Sequence, residues 1–132
     1  MSLFRSGRGR SGVLPALVGD LLVFLVFSAV GRSEHDLEVT LEDTLLTALP
    51  FIVMWLIIGT LHGVYASEAL RYPGAAAKRT LVAWLFAAPW ALLLRSVILR
   101  SPIVVVQFAL ITIGLNLVLL TVWRVAYAWL RR

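Results

Sequence analysis

Cysteine is absent from the 132 residues, which excludes disulfides, thiolate metal centres and cysteine nucleophiles, and leaves composition silent on redox compartment. Charge is scarce as well: Asp, Glu, Lys and Arg make up 14% of the chain, against about 25% in an ordinary soluble domain. Only two histidines occur, and no His/Asp/Glu group has metal-ligand spacing. No glycine-rich loop is placed to cradle a phosphate. Inside the apolar segments there is no pair of carboxylates for acid–base work. Ser28 and Ser96 have no His/Asp partner at matching depth to activate a hydroxyl. The expectation is a protein with no enzymatic activity, no catalytic residue, no metal and no cofactor.

Apolar residues take the place of what is missing. They make up 61% of the chain, and the mean hydropathy is +0.93, so water is the wrong solvent for most of this surface. Four apolar segments, at about 12–30, 44–66, 79–99 and 102–128, each approach the ~20 residues that a helix needs to cross the hydrocarbon core. Residues 1–11, containing SGRGRSG, read as a flexible basic tail. The expected fold is a single all-α membrane domain over 1–132.

The net charge of +5 invites a nucleic-acid partner, but the basic residues are distributed by membrane side rather than along one face. Arg5, Arg8 and Arg10 precede the first segment. Arg71, Lys78 and Arg79 lie between the second and third, and Arg124, Arg131 and Arg132 close the fourth. The first connection holds Glu34, Asp36, Glu38, Glu42 and Asp43 against Arg32, and the third is a tight turn near Arg100, Ser101 and Pro102. The positive-inside rule then places both termini in the cytoplasm of a multi-pass protein of the cell membrane. A cleaved signal peptide is the competing account of the N-terminus, since a basic start precedes LLVFLVFSA. Asp20 interrupts that apolar region, and removal of the first helix would spoil the charge pattern.

Short connections favour neighbouring helices that pack side by side, in an up-down-up-down four-helix bundle. Pro15 and Pro102 fall in first turns, where a missing N–H does no harm. Pro50 and Pro89 lie within spans, where kinks are expected. Gly59 and Gly63 form a GxxxG step suited to close helix approach. Trp84, Ala88, Ala91 and Arg95 share one face of the third span, and Thr112, Asn116, Leu120 and Arg124 share one face of the fourth. Both faces should point inward, because lipid supplies no partners for Asn or Arg.

Asp20 is the most informative residue, because a carboxylate at the centre of a span costs about 2.5 to 3.5 kcal/mol on insertion scales. At ~1.5 Å per residue it lies about 10 to 12 Å in from the cytoplasmic side. Side chains lean toward a helix's N-terminus, so Asp20 on an outward-running helix and Arg124 on an inward-running one lean toward each other. They form the expected intramembrane pair, with His62 at comparable depth as the alternative partner. At the outer ends, Arg32, His35, Thr47 and Arg95 gather as a polar cluster, either a cationic pocket for an anion or arginines neutralised by Glu34, Asp36, Glu42 and Asp43.

The strings DLLVFLVFSAVGRSEH (20–35), TALPF (47–51), VAW with LLLR (82–95) and VWR (122–124) together resemble the family of domain of unknown function 3054, small four-helix membrane proteins of bacteria and archaea. The resemblance covers nearly the whole chain, and it points to Asp20, Arg32, His35, Thr47, Pro50, Phe51, Arg95, Trp123 and Arg124. The chain departs from the family pattern at Met54-Trp55 and Pro89-Trp90, where glycines would be expected, and the resemblance implies no established activity.

Three readings follow. The leading one is a structural or accessory subunit of a membrane complex, whose partners are the bilayer and other membrane chains or further copies of itself, with no nucleic acid. The second is a small oligomeric transporter or ion-coupled permease that uses Asp20. The third is haem or chlorophyll-type pigment binding through His62 as a single axial ligand.

Overall fold

The computed structural model describes the backbone of residues 2–34, 40–98 and 106–131, with side chains from Gly12 onward in these segments save those of Glu34 and residues 106–108. Within them the chain is all helical. The elements are α1 (Ser2–Glu34), α2 (Leu41–Leu61), α3 (Ser67–Arg71), α4 (Pro73–Ile98) and α5 (Val106–Arg131). Four are long and apolar enough to cross a membrane, over Gly12–Ser33, Leu41–Leu61, Pro73–Ile98 and Ala109–Arg131.

Local chemistry sets the helix ends. Thr40 caps α2, accepting from the Asp43 N–H at 3.1 Å, while Glu42 and Asp43 place negative charge against the positive end of the helix dipole. At the other end the apolar run continues to Ala66, yet the helix stops at Leu61. Gly63 takes φ 75°, a left-handed conformation that glycine adopts without penalty. The Val64 N–H then reaches back to the Gly59 carbonyl at 3.1 Å, and the Gly63 N–H to Thr60 at 3.1 Å, which is the double bond pattern of a Schellman stop. Gly63 therefore belongs to a turn and not to a helix-packing face, so the expected GxxxG step does not form. Gly59 is buried, with Val64 and Trp55 as its nearest neighbours.

The third span starts at Pro73 rather than near residue 79, with proline as its first helical residue. The short α3, absent from the expected elements, precedes it. At the N-terminal end, α1 continues as helix through the Arg/Gly/Ser-rich stretch expected to be a tail. Pro50 is buried within α2 and Pro89 lies on the exposed side of α4, each inside one continuous helix.

In chain order the long helices form a ring: α1 packs on α2 and α5, and α4 packs on the same two, while α3 leans on α4, α5 and α1. An aromatic knot fills the middle. Phe24 stacks on Phe51 with centroids 6.4 Å apart, meets Trp84 at 5.6 Å, and lies edge-on to Trp55 at 6.3 Å. Ala83, Ala87, Ala88 and Ala91 give α4 a shallow inner face that admits these rings.

Polarity is inverted relative to a water-soluble bundle. Asp20, Ser28, Thr80, Thr112, Asn116 and Arg124 are buried, while Leu14, Val18, Leu22, Val26 and Val30 run along the exposed side of α1. Water would penalise that apolar stripe, and hydrocarbon would not.

Candidate functional site

The buried polar groups converge at Asp20. Asp20 and Arg124 are 0% and 1% exposed. The guanidinium grips the carboxylate with two parallel bonds, Nε to Oδ1 and Nη2 to Oδ2, each 2.9 Å. This bidentate geometry is the strongest arrangement available to an Arg–carboxylate pair. Two neutral donors complete the shell, Trp55 Nε1 at 2.9 Å and the Tyr65 hydroxyl at 2.6 Å, both to Oδ2. Arg124 Nη1 donates to the Val64 carbonyl at 2.7 Å, and the guanidinium carbon sits 4.7 Å from the Tyr65 ring centroid. Taking two charges out of water carries a large desolvation cost, and such a pair is tolerable only when the remaining lone pairs and protons are also satisfied. Here the carboxylate accepts four hydrogen bonds, from α2, α5 and the turn after α2.

The turn places two of these groups. Because α2 ends in the Schellman stop, Val64 and Tyr65 fold back beneath α5, and Val64 itself is buried. The Tyr65 hydroxyl is pushed well above its ordinary pKa, first by burial and then by the Asp20 charge, so it stays a donor at any ordinary pH. Further along the same α1–α5 contact, Trp123 Nε1 donates to the Ala16 carbonyl at 3.4 Å, and the Tyr127 hydroxyl donates to the Gly12 carbonyl at 2.6 Å. Gly19 makes this approach feasible, since a methyl group at that position would overlap the Trp123 indole.

The structure thus brings Asp20 and Arg124 together and leaves His62 apart. His62 Nδ1 lies 2.9 Å from the Ile58 carbonyl, and its ring stacks on Phe86 at 5.1 Å. Since a carbonyl only accepts, Nδ1 carries the proton and Nε2 is the remaining nitrogen. At the opposite end of the helices, Arg32 Nη1 donates to Thr47 Oγ1 at 3.2 Å and Nη2 lies 3.8 Å from the Asp43 carboxylate. Arg95 stands in the last turn of α4, and His35 lies outside the described residues. Trp55, Tyr65 and the Val64 carbonyl were not anticipated as partners. A signal existed for Tyr65 alone, as a hydroxyl-bearing aromatic just past a glycine able to turn the chain.

Among the described residues no group of three His, Asp or Glu side chains could hold a metal ion. Farther along α5, the Asn116 side-chain nitrogen donates to the Thr112 carbonyl at 3.0 Å. Asn116 Oδ1, Thr112 Oγ1, Ser28 Oγ and Thr80 Oγ1 are buried without a hydrogen-bond partner.

A family model described as "Protein of unknown function (DUF3054)" matches residues 17–127, an interval that encloses both Asp20 and Arg124. No curated protein and no solved structure matches the chain.

Proposed function

The chain belongs to this family of unknown function, DUF3054, and from its geometry we propose a structural or accessory subunit of a membrane complex. In this reading the four long helices cross the cell membrane up-down-up-down with both termini cytoplasmic, an orientation supported by the distribution of basic residues. The supporting observation is the closed shell around Asp20. A carboxylate with no exposed surface and four donors serves to hold α1, α2 and α5 in register. It is not set up to exchange a proton or an ion with water. The apolar exterior, with Trp90 and Trp129 exposed, is then the surface offered to lipid and to neighbouring chains. No enzymatic activity, resident cofactor or nucleic-acid partner forms part of this reading.

Extraction of the native protein in mild detergent tests it. Co-migration with other membrane chains in a defined stoichiometry is the expected result, and a colourless monomer that co-purifies with nothing would overturn it.

A second reading, a small oligomeric permease, draws on the unpartnered oxygens of Ser28, Thr112 and Asn116, since buried oxygens of this kind hold water where there is room. Single cysteines placed along α1 and α5 of this cysteine-free chain distinguish the two. Labelling by a water-soluble maleimide at positions 28 and 112, which leave the Asp20–Arg124 pair intact, would favour the permease, and uniform protection would favour the subunit.

A further inference from the structure

Beyond the Asp20 centre, the end of the molecule where α2 stops contains a second polar feature. A cavity of about 450 Å³ opens between the turn and the first turns of α4, bounded by His62, Glu68, Gly74, Ala75, Lys78 and Arg79. Two of its walls are fixed. Arg79 is anchored by Nη1 to the Gly63 carbonyl at 3.1 Å and by Nη2 to Glu68 at 2.8 Å. The His62 ring is held by its bond to Ile58 and its stack on Phe86, leaving Nε2 for a ligand.

Charge decides what fits. Glu68 is matched by Arg79, whereas Lys78, the only lysine in the chain, is exposed and has no ion-pair partner among the described residues. The cavity is therefore net cationic. A methyl group at Gly74 would meet nothing within 4 Å, so the floor is open to backbone approach. The positive end of the 26-residue helix α4 adds to the cationic side chains there.

Depth narrows the ligand further. The cavity lies between the end of one candidate span at Leu61 and the start of the next at Pro73, the level of lipid headgroups. Lys78, Val82 and Phe86 follow at intervals of four along α4, and the last two are exposed apolar side chains. A cation thus stands above an apolar lane on one helix face. We propose that this cavity binds a phosphate-bearing anion, with the oxyanion on Lys78, a P–OH or headgroup hydroxyl donating to His62 Nε2, and any attached acyl chain along Val82 and Phe86. The site rests on the membrane reading alone, and not on the subunit role.

The test uses the full chain in a neutral detergent, with phosphatidylglycerol, phosphatidylcholine and inorganic phosphate as probes and native mass spectrometry as readout. Phosphatidylglycerol should be retained in preference to phosphatidylcholine. Lys78→Gln should weaken that retention about fivefold, the worth of one interfacial cation, and His62→Gln should also weaken it. Lys78 is exposed and makes no described hydrogen bond or ion pair, so this variant should fold. A circular-dichroism melt checks that it does. Displacement of the lipid by inorganic phosphate would identify free phosphate as an alternative source of the same oxyanion, and no displacement would identify the headgroup. Equal retention by wild type and Lys78→Gln, or no preference between the two lipids together with no phosphate binding, would overturn the proposal. Sedimentation of the chain with membranes is read separately, and its failure would count against the membrane reading instead.

Discussion

Arg124 and Asp20 meet through two parallel 2.9 Å bonds although they lie 104 positions apart in the chain. An ion pair inside the molecule thereby joins α1 to α5. Removing one partner leaves the other charge buried alone, at a cost of about 3 to 5 kcal/mol. Asp20→Asn and Arg124→Gln should each lower abundance and thermal stability sharply, and the double variant should recover much of the loss. Urea-free thermal melts in detergent across the four proteins measure the coupling. A double variant no better than the worse single one would sink the pairing as the source of stability.

Trp55→Phe keeps the aromatic knot and deletes one donor to the carboxylate. A hydrogen bond to a charged group is worth about 1.5 to 3 kcal/mol, so a melting temperature lower by several degrees is expected. Trp84→Phe provides the comparison, since its indole donates to the Ile113 carbonyl, a neutral acceptor. The loss at Trp55 should be the larger.

Tyr65 gives the pH dependence. Its folded pKa is raised from 10.0, chiefly by burial, so its contribution to stability is fully present below about pH 10 and declines as pH rises beyond that. The difference in melting temperature between wild type and Tyr65→Phe should be constant from pH 6 to 9 and shrink above 10. A difference that grows with alkalinity would contradict the placement of the hydroxyl against Asp20.

Gly19→Ala probes the α1–α5 contact. The added methyl overlaps the Trp123 indole, and such overpacking costs about 1 to 3 kcal/mol. Pairing it with Trp123→Leu should relieve the clash. If Gly19→Ala melts as wild type does, the helices are not that close.

Gly63→Ala forces an L-residue into the left-handed region, a penalty of about 1 to 2 kcal/mol, and pushes the new methyl against Arg79. Besides losing stability, this variant should loosen Tyr65. The change is visible as a near-ultraviolet dichroism difference that Gly31→Ala, at an open position, does not show.

The inner faces were legible because lipid reverses the usual rule: Thr112, Asn116, Leu120 and Arg124 recur at helical spacing and can only point inward. Depth and side-chain lean then oriented Asp20 and Arg124 toward each other. The end of α2 was not legible, since hydropathy runs unbroken to Ala66 and gives no sign of which glycine turns the chain. Gly59 and Gly63 looked alike by spacing, and only backbone conformation separates them. That one misplaced boundary also hid Val64 and Tyr65 as partners of the ion pair, because both were assigned to a span. The cavity beside Lys78 was hidden by a second boundary: α4 begins at Pro73, earlier than hydropathy alone suggests.

The distance in sequence between Asp20 and Arg124 also has a meaning in time. At about 5 to 20 residues per second, a ribosome needs about 5 to 20 s to add the 104 residues that follow the carboxylate. During that interval α1 has no counter-charge from α5. Only α5 supplies the guanidinium, so a chain cut before α5 carries an unmatched carboxylate, and closure of the ion pair marks a bundle in which α5 has taken its place.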